Sequence, residues 1–192
     1  MGFVHFNRGT QARVGSPEQT ALYNEALAVL QQSLALSPAQ PVAWLLVAGI
    51  HYELGAREET ARALTWTVRT GGYLARQNRT RTIIGLAIWD LLDATTRRHL
   101  LDSVRDTLRR EPELVGQAVL AAAIEVELAA CLRLLPPDGV YLADRLAGAV
   151  EKLRASHGLE QRTPTAGQAS CQVVFSDIAL DGSATSLVTS RR

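Results

Sequence analysis

The chain has 192 residues, of which 47% are hydrophobic and 20% are charged, a composition typical of an ordinary soluble globular protein. The formal net charge of +1 gives no overall electrostatic bias toward nucleic acid or an acidic membrane surface. A chain of this length can bury a sizeable core without metals or disulfides, which excludes the small stapled classes.

The first strong helix signal lies at Ser16, Pro17 and Gln19. Serine caps a helix, proline suits the first helical position, and a glutamine three residues after the cap completes a capping box. A helix is therefore predicted over 17–36. Its apolar face, with spacings of three and four, consists of Leu22, Ala26, Leu27, Leu30 and Leu34.

Prolines and glycines separate the next two predicted helices. Pro38 and Pro41 end the first helix, and an apolar run then predicts a helix over 42–54. Gly55 suits a left-handed C-cap, and a further helix is predicted over 58–69.

The second half predicts four more helices, over 75–93, 96–110, 112–135 and 140–155. In the first of these, one face should carry Ile84, Ala87, Ile88, Leu91 and Leu92, with Trp89 to the side.

The helix predicted to begin at Pro112 is apolar on almost every side from Leu114 to Leu135. Glu125 and Glu127 lie at the centre of this run, and each would cost about 2.5 to 3.5 kcal/mol on membrane insertion. We therefore expect a buried central helix rather than a membrane span, and we expect at least one glutamate to reach the rim of the core or to pair with Arg133 or another arginine.

Composition divides the chain into three parts. Residues 1–15 form an N-terminal segment with room for a partial first helix, and residues 16–158 form the helical domain. Residues 159–192 are rich in Thr, Ser, Gly and Ala and are predicted to be a flexible, disordered or loosely docked tail. Within the tail, 171–180 has some β-propensity but no partner strand in the sequence.

An internal repeat links the first helices. The second half of one unit is matched by Ala26, Leu30, Ser33 and Pro38. In the next unit, the aromatic, Leu-Gly, turn and large apolar positions are taken by Trp44, Val47, Ala48, Gly55 and Leu64. The stretch 17–72 therefore resembles tetratricopeptide-repeat (TPR) proteins, over about one and a half 34-residue units. His51 stands where that pattern prefers tyrosine.

The resemblance implies an all-α fold of stacked antiparallel helical hairpins, a TPR-like superhelix. A single hairpin cannot bury its apolar face alone, so the helices over 75–155 should complete it as a C-terminal bundle. The resemblance further implies a non-enzymatic scaffold or adaptor, which binds a protein or peptide along a concave face made by the helices that begin at Val42 and Arg76. The predicted partner-binding residues are Trp44, His51, Arg76, Arg79 and Arg81.

Two expectations concern the setting of the protein. The arrangement is similar in general style to bacterial helical-repeat proteins of envelope polysaccharide or secretion systems. The start of the chain lacks a signal peptide, which favours the cytoplasm. Its abrupt beginning beside an incomplete first repeat instead favours a longer chain with an export or membrane-anchoring segment. Both alternatives stay open at this point.

The alternative function is anion or nucleic-acid binding through arginine-rich helices. All basic residues except Lys152 are arginine, which offers bidentate contacts to phosphate. The densest group comprises Arg76, Arg79, Arg81, Arg97, Arg98, Arg105, Arg109 and Arg110. The other explanation for these arginines is a solvated helix face, on which they form ion pairs with residues of the same helix.

Catalytic and metal-binding patterns are missing from the sequence. The four histidines lie in different segments without metal-ligand spacing, and no nucleophile elbow or phosphate loop is found. Cys131 and Cys171 show no zinc or redox spacing and are interpreted as incidental thiols. We predict no cofactor and no metal, and an enzyme with a cleft among the helices is the third hypothesis.

Overall fold

The computed structural model describes residues 2–71 and 77–158, and all regular structure in these two stretches is helical. The predicted all-α class is therefore confirmed, whereas the predicted tail, 159–192, lies outside the described residues. In chain order the helices are α1 (Gly2–Gln11), α2 (Pro17–Leu36), α3 (Pro41–Glu53), α4 (Arg57–Thr70), α5 (Asn78–Ala87), α6 (Ala94–Arg110), α7 (Pro112–Ala122), α8 (Glu125–Arg133) and α9 (Gly139–His157).

Helix α2 begins where the capping sequence predicts. Ser16 Oγ accepts a hydrogen bond from the Gln19 amide at 3.1 Å, and Pro17 takes the first helical position. The Gln19 side chain reaches one residue further back than a capping box requires, because its Oε1 accepts from the Gly15 amide at 2.8 Å. The predicted bounds of this helix are confirmed.

Consecutive helices pack in pairs: α1 with α2, α3 with α4, and α5 with α6. Neighbouring pairs also touch, since α3 contacts α1, α2 and α5, and α5 contacts α4 and α7. The last helix, α9, packs on α6, α7 and α8. One hydrophobic core runs through the described helices, from Tyr23 in α2 to Val150 in α9.

The second helix of each pair carries the same pattern: a small residue, a leucine four positions later, and a small residue three positions after that. The three sets are Ala26, Leu30 and Ser33 in α2; Thr60, Leu64 and Thr67 in α4; and Thr96, Leu100 and Ser103 in α6. All nine side chains are buried except Ser33, which is half-buried. The second set lies 34 residues after the first, and the third lies 36 residues after the second. The third set is outside 17–72, the stretch that resembles a repeat in the sequence.

Two glycines allow close contact within pairs. A Cβ added at Gly9 of α1 would lie 2.4 Å from Tyr23 Cε1, and one added at Gly85 of α5 would lie 2.3 Å from Leu100 Cδ2. Both distances are shorter than any non-bonded carbon contact. The two helices of each pair can therefore pack this closely only because the glycine has no side chain.

The helix predicted over 112–135 begins at Pro112 as expected, but it is in fact two helices, α7 and α8. Ala123 between them has φ 56°, in the left-handed region, and α7 ends there. This conformation costs an alanine about 1–2 kcal/mol, so packing around the turn must offset it. The prediction of one continuous helix is wrong here because no glycine or proline marks the break in the sequence.

The helix predicted over 75–93 is shorter in the structure. Helix α5 ends at Ala87, and a single 3-10 turn, Trp89–Leu91, follows. A 3-10 turn has three residues per turn, so it redirects the side chains that a continued α-helix would place elsewhere. Trp89 is only 1% exposed and Leu91 is 39% exposed, the reverse of the predicted face.

The two glutamates of α8 are both paired. Glu127 Oε1 accepts a hydrogen bond from Trp89 Nε1 at 2.6 Å and lies 3.4 Å from Arg97 Nη1. The Arg97 guanidinium also lies 5.4 Å from the Trp89 ring centroid. Glu125 pairs with Arg154 of α9. The expectation that at least one of them pairs with an arginine is confirmed.

Candidate functional site

Two tryptophans of the α3/α4 pair stack on each other near the surface. The ring centroids of Trp44 in α3 and Trp66 in α4 are 5.5 Å apart, with an interplanar angle of 17°. Trp44 Nε1 donates to the backbone oxygen of Pro38 at 2.8 Å, which fixes the orientation of its ring. Trp66 is 43% exposed. The Trp44 ring therefore packs against the inner face of the Trp66 ring, which is exposed to solvent.

A surface groove of about 400 Å³ runs beside Trp66, between α4 and the segment that leads into α6. We call it the tryptophan groove; its lining residues are Glu58, Ala61, Arg62, Thr65, Trp66, Arg69, Leu91 and Asp93. The α4 residues recur at spacings of three and four and so form one stripe of that helix. On the opposite wall, Asp93 Oδ1 caps α6 by accepting from the Thr96 amide at 2.7 Å.

Charged side chains surround the exposed tryptophan. The Arg69 guanidinium lies 5.8 Å from the Trp66 ring centroid, a cation–π distance. Arg62, one turn before Trp66, forms a 2.7 Å ion pair with Glu59. Tryptophan and arginine are the residue types most enriched among side chains that carry binding energy at protein interfaces. The groove thus has the composition of an interaction site.

His51 lies on the same side of α3 as Trp44, because seven residues make about two helical turns. Its side chain is half-buried. Burial lowers the pKa of the imidazole, the nearby Glu59 carboxylate raises it, and the Arg62 guanidinium lowers it. His51 is therefore neutral at pH 7, and it lies beside the ion pair that borders the tryptophan groove.

The three arginines predicted on the partner face have different positions. Arg76 lies outside the described residues, and Arg79 is exposed at the start of α5, with Nε 3.0 Å from the Glu111 carboxylate. Arg81 is only 1% exposed; burial lowers its pKa, and the Asp102 carboxylate acts in the opposite direction. A partner cannot reach a buried side chain, so the prediction of Arg81 as a face residue is corrected. Hydrophobic periodicity gave no sign that this arginine points inward.

Several other arginines of the predicted basic group are held by carboxylates. Arg105 and Arg109 share Asp138, and the hydrogen bond from Arg109 is the main reason that the pKa of this aspartate is lowered. Arg110 pairs with Asp106 at 3.2 Å. The positive charge of this region is therefore largely balanced by neighbouring groups.

Sequence reasoning missed Trp66, which lies in the helix predicted over 58–69 and was assigned no role. A signal was present, because Arg62, Trp66 and Arg69 are spaced by four and three and so share one stripe of α4. Leu91 was missed for a different reason: the 3-10 turn that exposes it leaves no trace in the apolar periodicity.

Cys131 corrects a further interpretation. Its side chain is fully buried in α8 and is disulfide-bonded, so it is not an incidental thiol. Sequence spacing cannot show a pairing that the fold creates. Cys171 lies outside the described residues.

The described residues contain neither a group of metal ligands nor a helix able to cross a membrane. Within residues 2–71 and 77–158, no three His, Cys, Asp or Glu side chains are grouped so that they could hold a metal ion. None of the helices described there has the length and apolar character that crossing a membrane requires.

No protein-family model matches the sequence, and neither a curated protein nor a solved structure matches it.

Proposed function

We propose that the protein is a non-enzymatic, TPR-like scaffold or adaptor that binds a protein or peptide partner in the tryptophan groove. The observation that carries the proposal is the solvent-facing ring of Trp66, which is stacked on Trp44 and lies beside an open groove. The general resemblance to envelope-associated helical-repeat proteins suggests an envelope or polysaccharide assembly as the setting.

The helical packing supports the scaffold part of this proposal. Three consecutive helix pairs carry the same pattern of small and large residues, at spacings of 34 and 36 residues. Each pair contacts the next, as expected for an array whose units cannot bury their apolar faces alone. Arrays of this kind leave long outer surfaces available for partners.

The groove supports the binding part. Trp66 and Leu91 are both large apolar side chains with more than a third of their surface exposed. Arg62, Arg69, Glu58 and Asp93 place both signs of charge around them. An apolar centre with a polar rim is the usual anatomy of a protein interface.

The alternative of anion or nucleic-acid binding has weaker support. Arg79, Arg105, Arg109 and Arg110 each have a carboxylate partner within the fold. An incoming phosphate would have to compete with these carboxylates, and Arg81 is buried. A steep fall of affinity with salt would be the signature of that alternative.

The test is affinity capture from an extract of the source cells, with quantitative mass spectrometry of what is retained. Trp66→Ala should weaken the affinity for a specific partner about thirtyfold, since truncation of a central tryptophan typically costs 2 kcal/mol or more. The recovery of that partner should fall accordingly. Arg79→Ala, on the face that the sequence predicted, should reduce it much less.

Leu36→Ala is the matched control, because Leu36 is 90% exposed and lies outside the groove. Circular dichroism should show unchanged helicity in all three variants. Equal recovery of every partner by the wild type and Trp66→Ala would rule out the groove as the binding site. Loss with Arg79→Ala alone would move the site to α5.

A further inference from the structure

The turn between α8 and α9 leaves three large apolar side chains in solvent. Leu134 follows α8 directly, and Val140 and Tyr141 lie in the first turn of α9. Their exposed fractions are 50%, 63% and 57%. We call these three residues the turn patch. Single exposed apolar side chains are common on proteins, whereas a group of them in one place marks a surface of interaction.

The backbone of the turn brings these side chains together. The Gly139 amide donates to the backbone oxygen of Leu135 at 2.8 Å, so α9 begins directly beside the end of α8. A Cβ added at Gly139 would collide with the backbone oxygen of Leu132, which shows how closely the two helices approach there. The turn patch is therefore one surface at the junction of α8 and α9.

Arginines surround the turn patch. Arg105 of α6 donates to the backbone oxygen of Pro136, within the turn, at 3.1 Å. Arg145 lies one helical turn after Tyr141, and its Nη1 is 3.4 Å from the tyrosine hydroxyl. Arg133 is exposed at the end of α8. Cationic groups from three helices thus border the apolar side chains.

Carboxylates offset only part of this positive charge. Arg105 and Arg109 share a single carboxylate, that of Asp138. Within residues 2–71 and 77–158, Arg133 forms no ion pair. The Arg145 guanidinium donates to two backbone oxygens at the end of α6 and is not held by a carboxylate there.

Two further carboxylates lie near the turn. Asp144 is exposed one helical turn after Val140. The hydrogen bond from Lys152, at 2.9 Å, is the main reason that the pKa of Glu113 is lowered, and Arg145 adds a smaller effect. The Glu113 carboxylate is thus paired with another cation. Four arginines and two aspartates remain at the turn, which leaves it positively charged.

Apolar side chains bordered by cations match the surface of a membrane that contains anionic lipids. Aliphatic side chains enter the boundary between headgroups and acyl chains, and tyrosine prefers this level because its ring is apolar and its hydroxyl is polar. Arginines near the surface are attracted by anionic headgroups. A lipid surface is fluid and adapts to side chains that project from a turn, whereas a protein would need a cavity shaped for them.

We propose that the turn patch is a peripheral membrane-binding site, which docks on the surface of a bilayer that contains anionic lipids. Leu134, Val140 and Tyr141 enter the headgroup region, and the bordering arginines attract the lipid phosphates. This inference does not depend on the tryptophan groove, which lies on a different pair of helices.

The experiment is flotation of the full chain with vesicles, titrated to give an apparent affinity. Vesicles of phosphatidylcholine mixed with phosphatidylglycerol are compared with vesicles of phosphatidylcholine alone. The affinity should be at least about tenfold higher for the anionic vesicles, and it should fall at high salt because ions screen the arginines. Absence of flotation, or equal flotation with both kinds of vesicle, would overturn the proposal.

The apolar part of the site is tested by the double variant Val140→Ser/Tyr141→Ser. It should bind anionic vesicles about tenfold more weakly, because it removes two of the side chains that enter the headgroup region. Leu36→Ser is the matched control, since it removes an apolar side chain that is 90% exposed on another helix pair. Circular dichroism should show the same helicity in both variants. Equal binding by the double variant and the control would remove the turn patch from the membrane contact.

The charged part is tested by Arg133→Glu, which should weaken binding about fivefold or more. Arg98→Glu makes the same change of charge at an exposed position near the start of α6 and should have little effect. Equal losses in both variants would mean that net charge alone attracts the chain to the vesicles, and would contradict a site at the turn.

Two further results separate this proposal from other occupants of the surface. A dimer that the wild type forms without floating, and that Val140→Ser/Tyr141→Ser does not form, would assign the turn patch to a second copy and overturn the membrane proposal. Trp66→Ala should float like the wild type, so failure of either site leaves the test of the other intact.

Discussion

The α3/α4 and α5/α6 pairs have the same spacing of small and large residues but different interiors. Between α5 and α6 the Thr82 and Thr107 hydroxyls are 3.1 Å apart. Ser103 Oγ donates to Asn78 Oδ1 at 3.2 Å, and Asn78 Nδ2 donates to the Asp106 carboxylate at 3.0 Å. The pattern of side-chain size therefore sets how the helices approach, and polar groups are tolerated there because they bond to each other.

The two pairs also differ in where their charged and polar side chains lie. In the α3/α4 pair the charged residues Arg62 and Arg69 lie outside, at the tryptophan groove. In the α5/α6 pair Asn78 and Arg81 lie inside, with exposed fractions of 2% and 1%. The α3/α4 pair therefore leaves these charged groups accessible to solvent, whereas the α5/α6 pair uses its polar groups in its own packing.

The largest effect should come from the feature that both pairs share. Leu64→Ala and Leu100→Ala each remove a leucine that is 1% exposed, and each should lower the free energy of unfolding by about 2–5 kcal/mol through lost burial and a cavity. Urea denaturation followed by circular dichroism measures both.

Leu36→Ala serves as the exposed control for this pair of variants and should change the free energy of unfolding by less than about 0.5 kcal/mol. A cost below about 1 kcal/mol for only one of the buried leucines would show that the two pairs are not packed alike, despite their common spacing.

A smaller effect should reveal the difference between the pairs. Asn78→Ala leaves the Ser103 hydroxyl and the Asp106 carboxylate without their bonds to this amide, and should cost about 1–3 kcal/mol. Thr80→Ala is the control, because Thr80 is exposed on the same helix. The same urea measurement applies. A neutral Asn78→Ala would mean that the network adds nothing to the stability of α5 against α6.

Local signals explain what the sequence could predict. Ser16 and Pro17 mark the start of α2, and Pro38 and Pro41 separate it from α3, so these boundaries need no tertiary information. The apolar positions at spacings of three and four likewise define which faces are buried, as Leu30 shows at 6% exposure. Such features act between residues a few positions apart.

Long-range contacts explain what the sequence could not predict. Arg81 is buried in α5 and interacts with the Asp102 carboxylate of α6, and the disulfide of Cys131 depends on the fold as well. No glycine or proline marks the left-handed turn at Ala123.

The opposite wall of the tryptophan groove has a similar explanation, because Leu91 and Asp93 come beside Trp66 only in the fold. Trp66 itself was marked by its spacing from Arg62 and Arg69.

The smallest expected effect comes from a position where the polarity of the two pairs is reversed. His51 in α3 is half-buried, and the residue 36 positions later, Ala87 at the end of α5, is also half-buried but apolar. Because burial lowers the pKa of His51, the unfolded chain takes up this proton at a higher pH than the folded one. Stability should therefore fall as the pH drops below about 6.5, the ordinary histidine pKa, toward the lowered value. Urea midpoints measured between pH 7.5 and 5.5 should decline less in His51→Ala, which places there the residue of the second pair, than in the wild type. The remaining histidines are common to both proteins, so an identical decline would mean that His51 is solvated in the folded state as it is in the unfolded chain.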